Sequence, residues 1–209
     1  DLLNDLKKYE VTTNPYDIYA HNRINTTNSP MLFQSNSGFG LKLWTGVSQT
    51  NPDSSINFQL LSFLDNINNL IKSKNPIVPE IKEFGYNDLF KFVFIAYDWI
   101  EGESWNEFIL SVEEDEVPLL LHKLLKSLDK LHKNKIFSGK ISSEKIICEQ
   151  LSDTFSIKFT DLFDNFNSSM GPLDEEPEDD NAIDSLPQAT RDRTSIVNMV
   201  IHAAKTYTP

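Results

Sequence analysis

The sequence predicts an α+β protein built as two lobes, and three observations carry that reading. Strand-type segments crowd the first half, with one long helical segment among them. A leucine-rich helical stretch then opens a second half that is mostly helix. The chain has 209 residues, the size of one domain or two small lobes, and its 39% hydrophobic and 11% aromatic content is enough to fill a core.

Residues 1–10 read as a short helix, with Leu2, Leu3 and Leu6 on one side. The Asn- and Thr-rich stretch 11–30 is predicted to hold one strand at 18–24. Two strands, 31–34 and 39–44, flank the turn residues Asn36, Ser37 and Gly38. A polar loop covers 45–53. Over 54–73, Leu60, Leu64, Ile67 and Ile71 recur at steps of three and four, with Asp53 or Ser54 as the cap. Asn75 and Pro76 end that helix, 77–86 suits a strand broken at Pro79, and 89–100 is an apolar run too rich in β-formers for a helix. Glu101 and Gly102 make a turn, and 105–111 is a short helix. Pro118 suits a first helical position. After it Leu121, Leu124, Leu125, Leu128 and Leu131 form a stripe expected to be core, with Lys123, Lys126 and Lys130 between them. Residues 136–148 are mixed, 156–160 is a short strand, and a last helix is expected over 192–204. The boundaries are then 1–97 for the first lobe, 98–104 for the joint and 105–209 for the second lobe. An acidic loop lies at 172–185; its stretch 174–184 holds seven acids around Pro177, the mark of a solvated segment.

Charge and composition exclude several classes. With 31 acids against 19 bases the net charge is −12, which repels phosphate backbones, so no nucleic-acid partner is expected. No run approaches the roughly 18 apolar residues of a membrane span, so no membrane partner is expected either. The first ten residues lack a basic start followed by an apolar stretch, so no signal peptide is expected. The first residue is not Met, which marks the chain as an expected piece of something longer. The lone Cys148 cannot form an internal disulfide and fits a reducing, cytoplasmic setting. His21, His122, His132 and His202 lack metal-ligand spacing, and no G-x-S-x-G frame exists for a hydrolase.

The stretch 131–147, LHKNKIFSGKISSEKII, resembles the catalytic-loop region of protein kinases, LHxxxIxHRDIKPxNIL, in frame and without a gap. Residues 157–163, IKFTDLF, resemble the strand leading into DFG, and 95–102, IAYDWIEG, resemble the hinge. Residues 40–44, GLKLW, resemble the VAIK strand; 186–188 resemble APE, and 192–197 the start of the helix after it. The six segments occur in the family's order and cover about 16–205. The resemblance implies a bilobal protein kinase-like fold. Its small β-rich N-lobe would hold one long helix, 54–73, in the place of the family's αC, and its helical C-lobe would be minimal or truncated.

Phosphoryl transfer is mostly positioning and charge neutralisation, so the resemblance is checked group by group. The phosphate loop falls at 25–30 and reads NTTNSP, without the glycine that lets backbone approach a phosphate. Lys42 matches the phosphate-contacting lysine; the plain alternative is an exposed strand lysine. Gln59 matches the helix glutamate that should pair with it, and carries no charge. Lys140 replaces the proton-accepting aspartate, and a cation cannot take the hydroxyl proton near neutral pH without a large drop in pKa. Ser142 replaces the following lysine, and Lys145 replaces the metal-binding asparagine. Asp161 alone remains as a metal ligand, and Phe163 takes the place of the DFG glycine.

No catalytic residue is therefore expected, with Lys140, Ser142 and Lys145 as degenerate positions. The cofactor-binding set implied is Lys42, Gln59, Lys145 and Asp161 with the hinge residues Tyr97, Asp98 and Trp99. ATP stays open as a ligand and Mg²⁺ is not expected, because the Lys145 ammonium can stand where the metal would sit, beside Asp161. The alternative for both lysines is solvent or a structural salt bridge. The implied function is that of a pseudokinase, a scaffold or allosteric regulator whose partner is another protein or an adjacent domain. A second reading is an active transferase of phosphoryl or nucleotidyl groups with displaced residues, drawing metal ligands from Asp153, Asp161 or Asp164. A third is a structural module whose cleft is filled by side chains such as Tyr97 and Phe163.

Overall fold

The computed structural model describes residues 2–20, 22–24, 30–134, 136, 141–152, 154–160, 162 and 188–206. These form two compact units, one from 2–74 and 80–99 and the other from 75–79, 100–162 and 188–206.

The first unit is built on an antiparallel sheet in the order β1 (Asn22–Ile24), β2 (Met31–Gln34), β3 (Phe39–Thr45), β5 (Phe92–Asp98), β4 (Ile81–Asn87). Alternation along β3 sends Leu41 to one face and Gly40, Lys42 and Trp44 to the other. The Leu41 face gathers Phe33, Phe92, Phe94, Ala96 and Ala20 into an apolar cluster. That face is covered by α2 (Pro15–Tyr19), not by the strand expected at 18–24; the strand described within that stretch is Asn22–Ile24. The Asn14 side chain accepts the Tyr16 N–H and Pro15 opens the turn with a fixed φ, so a helix starts where composition alone suggested a strand. Tyr16 then meets Phe33 edge-on, and the Tyr19 hydroxyl donates to Glu83 at 2.8 Å.

On the opposite face lies α3 (Phe58–Ser73), whose Phe63 meets Trp44 edge-on at 5.3 Å. Its cap is Asn57, which accepts the Leu60 N–H at 2.9 Å. Asp53 and Ser54 are not the cap: Asp53 binds the N–H and hydroxyl of Ser55, and Ser54 turns the chain with φ +66. The helix ends at Lys74, left-handed with φ 47. A short α1 (Leu2–Lys7) buries Leu6 and sits by α3, where the Tyr9 hydroxyl donates to Asp65 at 2.7 Å. The chain then passes the edge of β4, exchanging backbone bonds between Tyr86 and both Tyr9 and Val11. Gly85 permits this crossing, since a Cβ there would stand 2.6 Å from the Tyr9 carbonyl oxygen. One strap thus reaches both faces of the sheet. The strand expected at 77–86 shortens to β4 because 75–79 belongs to the second unit. The run 89–100 narrows to β5, and its first residues, Leu89 and Phe90, are exposed at the hairpin tip.

The second unit has a small antiparallel sheet, β6 (Glu103–Ser104), β7 (Ile146–Leu151) and β8 (Thr154–Phe159), with helices packed on it. Residues 75–79 join it through the Phe159 N–H, which donates to Ile77 O, and the Lys158 ammonium, which donates to Pro76 O. In α4 (Trp105–Phe108), Phe108 meets Phe155 edge-on. The long α5 (Val117–Lys133) has proline in its first turn as expected, but its buried stripe is Val117, Leu120, Leu124, Ser127, Leu128 and Leu131. Leu125 is exposed and Leu121 half-buried, so the core stripe is rotated from the expected one. Steps of three and four through 117, 120, 124, 128 and 131 keep the 3.6-residue period, and both rows are leucine-rich enough to fit it. The last helix, α6 (Gln188–Thr206), starts before Asp192 and buries Ile196, Met199 and Ala203. Among the described residues no helix is long and apolar enough to cross a membrane. The acidic loop 172–185 lies outside the described residues.

Candidate functional site

The β3 lysine stands on the α3 face of the first sheet. Lys42 pairs with Leu32 and Ile95 across the sheet and is only 4% exposed, so it is not the exposed strand lysine of the plain reading. Burying an ammonium is costly unless other groups compensate. The buried side of α3 is wholly apolar: Leu60, Leu61, Phe63, Leu64, Ile67 and Leu70. Asp65 is the helix's single acid, and it is exposed and holds the Tyr9 hydroxyl. Gln59 is exposed in the first turn of α3, off that buried side.

Two side chains of the expected hinge, Tyr97 and Asp98, are placed by β5. Tyr97 pairs with Gly40, which puts the two on the Lys42 face. A Cβ at Gly40 would lie 2.5 Å from Tyr97 Cζ, so the phenol ring rests on the bare backbone of β3, two residue pairs along the ladder from Lys42. Sequence reading missed this seat; a glycine inside a strand pattern is the signal that points to such an approach. Asp98 pairs with Lys82 at 2.8 Å, and its N–H donates to Glu80 O. The Trp99 N–H donates to Gly38 O at 2.9 Å, so that donor is used inside the unit.

In the second unit, Ser142 leads into a single 3₁₀ turn, Ser143–Lys145, just before β7. The Lys145 N–H donates to Ser142 O, and Lys145 O accepts both the N–H and the hydroxyl of Thr160, at 2.9 and 2.8 Å. Position 145 and the residue before position 161, which the sequence resemblance expects near one another, are therefore bonded backbone to backbone. Lys140, Asp161, Phe163, Asp153, Asp164 and the loop 25–29 lie outside the described residues. Among the described residues no three His, Cys, Asp or Glu side chains gather into a metal site.

Two further groups organise this unit. His132 Nε2 lies 3.1 Å from Asp192 Oδ2, joining the end of α5 to the first turns of α6. The sequence marked each residue separately but gave no sign of their pairing, which spans 60 positions. Cys148 is fully buried on β7, and burial pushes its thiol from 9.0 up to about 12. At pH 8 only about one molecule in ten thousand then carries a thiolate. A thiol-labelling reagent should modify the folded chain at least about a thousandfold more slowly than the urea-unfolded chain. The folded thiol holds its proton where the unfolded one has lost it. The stability this contributes is present below about pH 9 and is lost as pH rises towards 12. A series of melts from neutral to alkaline pH checks the sign.

No family model matches the chain, and no curated protein matches it. Solved structures do. It is similar to the crystal structure of the PknI kinase domain of Mycobacterium tuberculosis, at 13% identity over 91% of this chain and 73% of that one, with a TM-score of 0.57. It is similar to the C20A mutant of that domain at 12% identity, over 88% and 72%, with the same TM-score of 0.57. The chain has a mixed α+β, protein kinase-like fold, with an antiparallel β-sheet N-lobe and helices.

Proposed function

We propose that this chain is a catalytically impaired kinase-like domain that acts by binding another protein, as a scaffold or allosteric regulator. The observation that carries the reading is the helix α3: its single acid, Asp65, is exposed and holds the Tyr9 hydroxyl, and the aligned Gln59 is exposed, so the helix supplies no acid where a kinase keeps one. Kinase catalysis depends on the strand lysine being held by a helix acid while it contacts phosphate. Three further features support the reading. Lys140 and Lys145 stand in the sequence positions of the base and the amide metal ligand. The Tyr97 ring crowds the Lys42 strand at Gly40. The tie between Lys145 and Thr160 brings a lysine's backbone next to the position before Asp161.

The test is transfer from γ-labelled ATP to the chain itself and to a basic acceptor protein, with Mg²⁺ or Mn²⁺. The expected result is no label above the buffer control. Label that appears and then vanishes in Asp161→Ala would overturn the proposal in favour of a displaced-residue transferase. Repeating the assay with α-labelled ATP separates nucleotidyl from phosphoryl transfer. ATP should shift the melting temperature no more with Mg²⁺ than with EDTA, and a shift that requires the metal would count against Lys145 in the metal's place.

A further inference from the structure

A surface helix of a globular unit normally buries one face and wets the other. Helix α6 buries Asp192, Ile196, Met199 and Ala203, yet its outer side, where Asn198 and His202 are exposed, also carries two large apolar side chains. Val197 is 51% exposed and Ile201 46% exposed, with Val200 half-buried beside them. Arg193, Val197, Ile201 and Lys205 follow at steps of four and are all exposed, so they form one ridge. The ridge carries a cation at each end and two branched apolar side chains between. Its cations lie twelve residues apart, about 18 Å along the axis. The helix has one carboxylate, Asp192, and that group is 1% exposed and faces His132. In a chain of net charge −12, this one ridge thus has an apolar middle and a cation at each end, with Asn198 and His202 exposed alongside it.

We infer that this ridge of α6 is the docking face for the partner, and that the partner presents an amphipathic helix with acids at both ends of its apolar stripe. The inference rests on the protein-binding reading above. Apolar contact would supply the core of such an interface. The Arg193 and Lys205 charges would select acidic partners and reject basic ones.

The test uses the whole chain and a fluorescein-labelled helical peptide, with leucines at steps of three and four and glutamates flanking the stripe. A twin peptide carries lysines in place of the glutamates. Fluorescence anisotropy should show binding of the acidic peptide, weakening as salt rises, and none of the twin. Val197→Glu and Ile201→Glu, both surface changes, should each weaken binding at least about tenfold without lowering the melting temperature. The double reversal Arg193→Glu with Lys205→Glu should switch preference to the lysine peptide. Equal binding of both peptides, or of neither, would overturn the inference. So would a dimer that Ile201→Glu splits in sedimentation, because a second copy then covers the ridge. Binding that appears only after residues 174–184 are deleted would overturn it too, because the chain's own acids then cover it. A chain that ignores the peptide and transfers no phosphate refutes the docking face alone. A chain that binds the peptide and transfers phosphate refutes the catalytic reading alone.

Discussion

His132→Ala should destabilise the helical unit by about 3 kcal/mol, because it leaves the Asp192 carboxylate buried without its imidazole neighbour. Asp192 is 1% exposed and the imidazole stands 3.1 Å from it, so water cannot readily replace the lost bond. Asp192→Asn keeps the shape and a hydrogen-bonding oxygen but removes the charge, and should cost less, about 1.5 kcal/mol. The double variant His132→Ala with Asp192→Ala should be more stable than the sum of the two single losses predicts. Urea unfolding followed by the fluorescence of Trp105, which is in this unit, reads the effect. Strictly additive losses would mean that the two side chains do not depend on each other. The pair also bears on recognition: it fixes the first turns of α6, and the proposed docking ridge begins one residue later, at Arg193. His132→Ala should therefore weaken the acidic peptide as well, while Ile201→Glu weakens the peptide and leaves stability alone. That contrast separates a residue that positions the helix from one that touches the partner.

Most of the fold could be read from local patterns, and the failures share a cause. The strands at 31–34 and 39–45 and the helix ending at Ser73 rest on periodicity and turn residues, and they form nearly as expected. The strap of residues 9–19 did not show, because its partners, Tyr86, Phe33 and Glu83, are remote in sequence. The rotated stripe of α5 failed for another reason: Leu121 and Leu125 satisfy the same period as Leu120 and Leu124, and only packing chooses between them. Lys42 could be found from its place before the long helix, but its burial could not. The ridge of α6 was hidden because exposure is not written in the sequence. Val197 and Ile201 look like core residues, as Ile196 and Met199 are.

Gly102→Ala should be the most damaging of the glycine changes, with a loss of about 3 kcal/mol or more. Two penalties coincide there. The backbone holds φ at +131, a conformation that L side chains rarely adopt and that costs on the order of 1–3 kcal/mol. The new methyl would also stand 2.4 Å from the Cys148 carbonyl oxygen and 3.0 Å from Ile147 Cγ2. A carbonyl inside a sheet cannot move aside as a flexible side-chain end can, so overpacking adds about 1–3 kcal/mol. Gly102 immediately precedes β6, whose Glu103 and Ser104 pair with Cys148 and Ile147, so the displacement would open the β6–β7 edge. Gly38 and Gly46 make the control. Both hold positive φ, +84 and +77, but a Cβ at either meets nothing within 4 Å. Alanine at those positions should cost only the backbone preference, about 1 kcal/mol each. A thermal or urea series over the three variants checks the order. Equal losses at all three would assign the whole penalty to φ and none to the Cys148 carbonyl. A larger loss at Gly102, together with faster labelling of the Cys148 thiol, would locate the damage at the β6–β7 edge.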